Sequence, residues 1–291
     1  MTRQPAAAAA EPFVPPRARS EVVGRLVVYL LLVAMALLFF TPFVWSLSTS
    51  FKTLPDTANF NFIPHPFTTS AWKTVWTKYD FERYILNSLF LAVTVTVLNV
   101  FLAGLGGYAF ARLRFPGREL LFLLVLGTLM IPDQLRLIPV FVLLVDWGLY
   151  GSFTGYILIS LVSAVNLFFM RQYFLTIPKD FEEAAKLDGA GFFKTFWRVM
   201  LPLAAPAIAA LSILQFQGTW NDFFWPLIIF GQGNTDHYTV QLGLAAFSFQ
   251  YGTLWPELMA GSLIAIAPIL LIFLIFQRYF IAGVTAAGVK G

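Results

Sequence analysis

The charged side chains that could make strong polar contacts are concentrated in residues 171–202, referred to below as the charged loop. Within it, Glu182 and Glu183 are carboxylates that can accept charge-assisted hydrogen bonds from a basic partner. The stretches on either side, residues 147–170 and 203–221, carry no charge. Burying each charge of the loop in hydrocarbon would cost roughly 3 kcal/mol. We therefore expect the loop to lie in water or against another protein, between two membrane helices.

No set of catalytic or metal-binding residues is visible in the sequence. Cysteine is absent, which excludes disulfides and thiolate metal sites, and His65 and His237 lie far apart in polar connections. Gly104, Gly106 and Gly107 could be mistaken for a phosphate-binding loop. No strand precedes them, however, and they lie in an apolar stretch, so we interpret them as helix-packing residues. The sequence predicts a protein that is not an enzyme and that binds no metal or cofactor itself.

The charged loop is predicted to fold as two short helices. The first covers about residues 179–188 and begins either with Pro178 in its first turn or with Asp180 as its cap. Gly189 suits the left-handed conformation that ends a helix. The second helix, about residues 192–200, would have its aromatic residues on one apolar face. Two helices joined at a glycine would form a compact knob.

The spacing of residues within the loop resembles a known family. Glu183 begins a Glu-Ala-Ala triplet, Gly189 follows it by six residues, and Leu201-Pro202 closes the loop. This pattern resembles the loop motif of binding-protein-dependent ABC importer permeases, with Val199 in place of the usual isoleucine. The resemblance implies that the loop couples the membrane helices to separate ATPase subunits, which would bind ATP and Mg²⁺. The residues that it implies for ATPase coupling are Glu182, Glu183, Ala184, Ala185, Asp188, Gly189, Leu201 and Pro202.

Four further stretches extend the resemblance over most of the chain. They are Leu105–Arg112, Met130–Pro132, Trp220–Leu227 and Gly283–Gly291. Together they are similar to the second permease subunit of maltose-type carbohydrate importers. The resemblance implies a second homologous permease subunit, two ATPase subunits, an extracytoplasmic solute-binding protein and membrane lipid as partners. A permease of the same class for another solute, such as glycerol phosphate or a polyamine, is the alternative within the family.

The composition is that of a polytopic membrane protein. Of the 291 residues, 58% are hydrophobic and 12% are charged, with a mean hydropathy of +0.75. A soluble domain has about 25% charged residues. We predict an all-α protein with six transmembrane helices, because about 20 apolar residues cross a bilayer. The predicted spans are residues 26–51, 84–111, 120–138, 152–170, 203–221 and 258–277. Pro132 and Pro139 predict a bent or broken end for the third span.

The distribution of Lys and Arg predicts the orientation. Fourteen of the 19 lie in the N-terminal tail, the connection after the second span, the charged loop or the C-terminal tail, and five lie in the other connections. Cytoplasmic loops are richer in these residues. We therefore predict a multi-pass protein of the cell membrane with both termini in the cytoplasm and no nucleic acid partner. The predicted parts are a disordered tail (1–24), a first helix with its outer connection (25–83), a permease core (84–281) and a C-terminal tail (282–291).

Polar residues in or near the predicted spans are candidates for a solute pathway, because a sugar needs hydrogen-bonding side chains beside aromatic surfaces. The alternative for each is a hydrogen bond between helices. For Asp133 the alternative is an ion pair with Arg136, three residues later. The pathway candidates are Asp133, Asn166, Gln215, Trp220, Asn221 and Asp222.

A second class of function is an ion-coupled secondary transporter that acts alone. Such a protein is expected to have ionisable residues at mid-membrane and two inverted halves. The predicted spans one, two, five and six have uncharged centres. The sequence therefore favours the importer permease over the secondary transporter.

Overall fold

The computed structural model describes residues 19–231, 235–249 and 252–288, and these residues are mostly helical. The predicted all-α class is confirmed, with one small addition: an antiparallel hairpin of β1 (Ser248–Phe249) and β2 (Gly252–Thr253). The helices are α1 (Arg19–Thr49), α2 (Ser70–Lys78), α3 (Phe81–Arg112), α4 (Arg118–Gly127), α5 (Asp133–Asp146), α6 (Phe153–Ser160), α7 (Ala164–Thr176), α8 (Asp180–Leu187), α9 (Phe192–Thr195), α10 (Leu201–Leu203), α11 (Ala205–Trp220), α12 (Phe224–Phe230), α13 (Val240–Ala245) and α14 (Trp255–Gly288).

Three helices in the described part of the chain are long and apolar enough to cross a membrane: α1, α3 and α14. Three further helix pairs meet this criterion together but are bent where they join: α4 with α5 by 100°, α6 with α7 by 44°, and the α9–α10 segment with α11 by 75°. If each bent pair crosses once, the total reaches the six predicted spans. The predicted break near Pro132 is present, whereas the break between α6 and α7 was not predicted.

The ends of the predicted parts differ from the helix boundaries. Helix α1 begins at Arg19, so the last six residues of the predicted tail 1–24 are helical, and residues 1–18 lie outside the described residues. Helix α14 continues to Gly288, into the predicted tail 282–291, of which residues 289–291 are not described. Helix α7 continues to Thr176, so the first six residues of the charged loop extend a membrane helix.

Helix α3 is the centre of the fold and packs against α7 and α11. Its contact with α7 is close because Gly107 has no side chain. A Cβ at this position would lie 2.6 Å from Met170 Cβ and 2.8 Å from the backbone nitrogen of Arg171. Small residues permit such backbone approach between membrane helices. Gly106 and Gly107 are therefore packing residues, as predicted, whereas an added Cβ at Gly104 would meet nothing within 4 Å.

Helix α1 has apolar side chains on all sides, and the rest of the described chain covers none of its most hydrophobic window. A helix that is apolar all round is suited to hydrocarbon or to a membrane partner. Its neighbour within the chain is α14. Helix α1 therefore lies at the edge of the bundle.

The connection after α1 is folded around a buried lysine. Lys52 Nζ donates to the carbonyl oxygens of Asn59 and Asn61 and lies 4.7 Å from the centre of the Trp45 ring. The backbone amide of His65 donates to Asp56 at 3.1 Å, and this hydrogen bond lowers the pKa of Asp56. These contacts join the connection to the end of α1.

Candidate functional site: the charged loop and a polar cavity

The charged loop forms the two short helices that the sequence predicts. The first is α8, followed by Gly189 in the left-handed conformation with φ +75°. Neither proposed start is observed: Lys179 is the N-cap residue, and no side chain caps the helix. Three carboxylates in the first turn of α8, including Glu182 and Glu183, instead face the positive end of the helix dipole.

The second helix of the loop changes its winding before a proline. The α-helical turn Phe192–Thr195 is followed by a π-helical turn, Phe196–Met200, and then by Leu201-Pro202 in α10. Pro202 has no N–H to bond the carbonyl four residues earlier, and its ring crowds that carbonyl. A widened π turn avoids this conflict. The Leu-Pro pair of the motif therefore determines where the loop re-enters the bundle.

The predicted apolar face of this second helix is divided between core and surface. Phe196 and Met200 are fully buried in the cluster beneath α3 and α7. Phe192 and Phe193 are 63% and 79% exposed, and Leu187 at the end of α8 is 90% exposed. The loop thus combines an anchored base with an uncovered apolar tip.

The predicted coupling residues differ in exposure. Glu183 and Ala184 point outward, as do Asp188 and Gly189, whereas Ala185 is buried. Glu182 turns inward: its side chain is 12% exposed, and its Oε2 lies 3.7 Å from Nε of Arg112. The two adjacent glutamates, about 100° apart around the axis of α8, therefore differ in their surroundings: Glu183 is exposed and Glu182 is largely buried.

Sequence reasoning did not assign a role to Arg112, which lies at the end of α3. Its side chain is only 5% exposed, and Nη2 donates to the carbonyl oxygens of Phe174, at 2.7 Å, and Ile177. These carbonyls lie at the C-terminal end of α7, where the helix leaves acceptors unsatisfied. An arginine that directly follows a long apolar helix was the signal available in the sequence.

A polar cavity of about 490 Å³ lies where the bent helices break. Three predicted pathway residues, Asp133, Gln215 and Asp222, line it. The cavity meets the joints between α4 and α5, between α6 and α7, and after α11. Irregular backbone within a membrane bundle is tolerated where it lines such a cavity. Further residues also line it, including Asn99, Arg136, Tyr156, Ser160, Thr219 and Trp225.

The charged groups of the cavity have local partners. The predicted ion pair of Asp133 and Arg136 is present. Tyr156 donates its hydroxyl proton to Asp222 Oδ2 at 2.8 Å, and Asp222 Oδ1 accepts from the amide of Trp225 at 3.4 Å. Asp222 therefore holds α6 against the start of α12. The sequence contained no signal for Tyr156 beyond a tyrosine in an uncharged stretch.

Three amide side chains connect α3, α7 and α11 behind the cavity. Asn166 Nδ2 donates to Asn99 Oδ1 at 2.7 Å and to Gln215 Oε1 at 2.6 Å, and Asn99 Nδ2 donates to the carbonyl of Ser160 at 3.0 Å. Asn166 is buried and does not line the cavity itself. Asn166 therefore forms hydrogen bonds between helices, which was the alternative to a pathway role. Gln215 accepts a hydrogen bond from Asn166 and also lines the cavity.

The two remaining pathway candidates do not line the cavity. Trp220 is 1% exposed and donates from Nε1 to the carbonyl of Ala265 in α14 at 3.1 Å. Asn221 is exposed and accepts from Gln241 at 3.3 Å. The structure therefore separates these two residues from Asp133, Gln215 and Asp222. Among the residues that the structure describes, no group of His, Cys, Asp and Glu could hold a metal ion.

Comparison with known proteins identifies the relatives of this chain. The family model for the inner membrane component of binding-protein-dependent transport systems matches residues 103–286, well over half of the chain. The arabinooligosaccharide transport system permease protein AraQ of Halalkalibacterium halodurans is 42% identical over 205 residues, which cover 70% of this chain and 73% of that protein. The trehalose/maltose transport system permease protein MalG of Thermococcus litoralis is 32% identical over 286 residues, covering 94% and 99%.

A solved structure shares the fold. It is that of a bacterial ABC transporter involved in the import of the acidic polysaccharide alginate, with a TM-score of 0.78 and 26% identity. The similarity covers 92% of this chain and all of the matched chain. This chain thus shares its overall fold with a chain of that ABC transporter.

Proposed function

This chain belongs to the family of inner membrane components of binding-protein-dependent transport systems, and we propose that it forms part of a carbohydrate pathway whose opening is driven through the charged loop. It is the permease subunit of an ABC importer and a multi-pass membrane protein. ATP hydrolysis belongs to a separate subunit. In our proposal two ATPase subunits bind ATP and Mg²⁺, and both termini of this chain lie in the cytoplasm.

The proposal that ATPase subunits dock on the charged loop depends on the side chains that the loop exposes. Glu183 and Ala184 are uncovered on α8, and the apolar side chains of Leu187, Phe192 and Phe193 lie exposed beside them. A carboxylate beside apolar groups suits a cleft that has a basic residue and an apolar wall. The loop could instead be an amphipathic helix that lies on the bilayer surface, but the three carboxylates in the first turn of α8 disfavour contact with anionic lipid.

The polar cavity supports a sugar as the solute. Hydroxyl, amide and carboxylate groups from Tyr156, Gln215 and Asp222 share its wall with the indole of Trp225. Hydrogen-bonding groups beside an aromatic ring suit a polyhydroxylated ligand. The relatives that transport arabinooligosaccharides and trehalose or maltose point in the same direction. A homologous second permease would complete the pathway, and an extracytoplasmic binding protein would deliver the solute.

The test is whether the chain, purified with its partner permease, forms a stable complex with the ATPase subunit that Glu183→Lys abolishes. The matched control is Asp146→Lys, which reverses an exposed charge outside the charged loop and is expected to leave the complex intact. Uptake into proteoliposomes must also require the ATPase. Complexes that survive Glu183→Lys would contradict the docking proposal, and uptake without any ATPase would favour the secondary transporter.

A further inference from the structure

Arg112 joins three helices at the base of the charged loop. It extends from the end of α3, donates to the carbonyls of Phe174 and Ile177 at the end of α7, and forms an ion pair with Glu182 on α8. Both charged side chains are largely buried. A planar guanidinium with several donors is suited to contact several acceptors in fixed directions. This arrangement connects the loop to the two most closely packed helices of the bundle.

The contact between Arg112 and Glu182 is incomplete. Nε of Arg112 is buried and has no hydrogen-bond partner among the described residues. Glu182 Oε2 lies 3.7 Å away, which is roughly 0.8 Å longer than a charge-assisted hydrogen bond. A cavity of about 140 Å³ lined by Tyr108, Arg112, Glu182 and Thr195 leaves space for α8 to approach α3. The pair can therefore tighten or loosen when α8 moves, while the bonds from Arg112 to α7 remain.

We propose that the Arg112–Glu182 pair is the positioning link that transmits movement of the charged loop to α3 and α7. This inference rests on the proposed function, because it assumes that ATPase subunits move the loop. It assigns different roles to the two neighbouring glutamates. Glu183 faces the ATPase, and Glu182 connects the loop to the membrane helices.

The test uses the assembled transporter with Glu182→Gln, which keeps the size of the side chain and removes its charge. We expect the complex with the ATPase to form as in the wild type. We expect solute transport per ATP hydrolysed, measured in proteoliposomes with the solute-loaded binding protein, to fall about tenfold. Arg112→Lys keeps the charge but loses the planar fork, and should behave in the same way.

Two controls separate transmission from general stability. Glu119→Gln removes a more exposed carboxylate, which pairs with Arg118 and with Arg171 (Oε2 3.1 Å from Nη2 of Arg171), without touching α8. This variant is expected to keep transport per ATP unchanged. The double variant Arg112→Lys with Glu182→Gln should be no worse than Arg112→Lys alone, because the contact that Glu182→Gln removes is already lost in Arg112→Lys. A merely structural role would lower the unfolding temperature and reduce ATPase activity and transport in proportion.

Wild-type transport per ATP in Glu182→Gln would overturn the proposal, and so would additive effects in the double variant. Loss of the ATPase complex in Glu182→Gln would also overturn it, because Glu182 would then be a docking residue. A different result would contradict the proposed function, namely a complex with the ATPase that still forms in the Glu183→Lys variant. The two failures can therefore be distinguished.

Discussion

Replacement of Gly107 by alanine tests whether α3 and α7 depend on direct backbone contact. The added Cβ would lie 2.6 Å from Met170 Cβ and 2.8 Å from the backbone nitrogen of Arg171. Carbon atoms pack at about 3.5–4.0 Å, so α7 would have to move away by roughly 1 Å. The obstructing atoms are backbone or adjoin it, and they cannot move aside by changing a rotamer. Overpacking of this kind costs roughly 1–3 kcal/mol.

Gly104 provides a matched control on the same helix. It is buried as well, but an added Cβ would have nothing within 4 Å. Both substitutions gain about 0.5–1 kcal/mol because alanine loses less backbone entropy than glycine in a helix. The difference in stability between Gly107→Ala and Gly104→Ala therefore isolates the steric overlap.

The assay is thermal unfolding of each variant, purified in detergent with its partner permease. At about 2–4 °C per kcal/mol, Gly107→Ala is expected to unfold several degrees below Gly104→Ala. Equal unfolding temperatures for the two variants would refute the close backbone contact. Transport should decrease in Gly107→Ala as well, because the separation of α7 from α3 also displaces the carbonyls that bind Arg112.

Three further substitutions test the polar contacts. Tyr156→Phe removes the hydrogen bond to Asp222. Because hydrogen bonds to a charged group are worth about 1.5–3 kcal/mol, uptake should fall at least roughly tenfold. The complex should still assemble. Trp220→Phe removes the donor to Ala265 and should destabilise the chain by about 1 kcal/mol in denaturant unfolding, with uptake per folded molecule unchanged. Asn166→Leu removes the side chain that donates to the amides of Asn99 in α3 and Gln215 in α11. At about 0.6 kcal/mol per hydrogen bond, thermal unfolding should show that the free energy of unfolding falls by roughly 1 kcal/mol. An unchanged free energy of unfolding would contradict the hydrogen-bonded network.

The charged loop could be predicted closely because its signals are local. Gly189 marks the end of α8, and the charges of residues 179–188 mark the helix itself. The inward direction of Glu182 could not be predicted in the same way. It depends on Arg112, about 70 residues earlier in the chain, and on the carbonyls at the end of α7 that hold the guanidinium.

The broken helices were predicted in part. Pro132 indicated the break between α4 and α5, because proline cannot continue a helix. The break between α6 and α7 contains neither proline nor glycine, and hydropathy alone made residues 152–170 a continuous span. A weaker signal was present: the hydroxyl of Ser163 accepts from the backbone amide of Asn166 at 3.3 Å and caps α7.

The cavity residues show what composition can and cannot indicate. Polar groups in apolar stretches are rare, which is why Gln215 and Asp222 could be selected. Their directions depend on helix rotation. Trp220 follows Gln215 by five residues, and five residues at 100° each place it about 140° around the helix axis. Trp220 accordingly packs against α14, and Gln215 faces the cavity.

Helix α3 connects the two parts of the candidate site. Asn99 lines the cavity and bonds to α7, Gly107 packs directly against α7, and Arg112 holds both the end of α7 and the charged loop. The distance from Asn99 to Arg112 along the helix is about 20 Å at 1.5 Å per residue. Because α3 and α7 are fixed to each other at three levels, a displacement at Arg112 must move them together. In our proposal, the loop therefore reshapes the cavity without touching it.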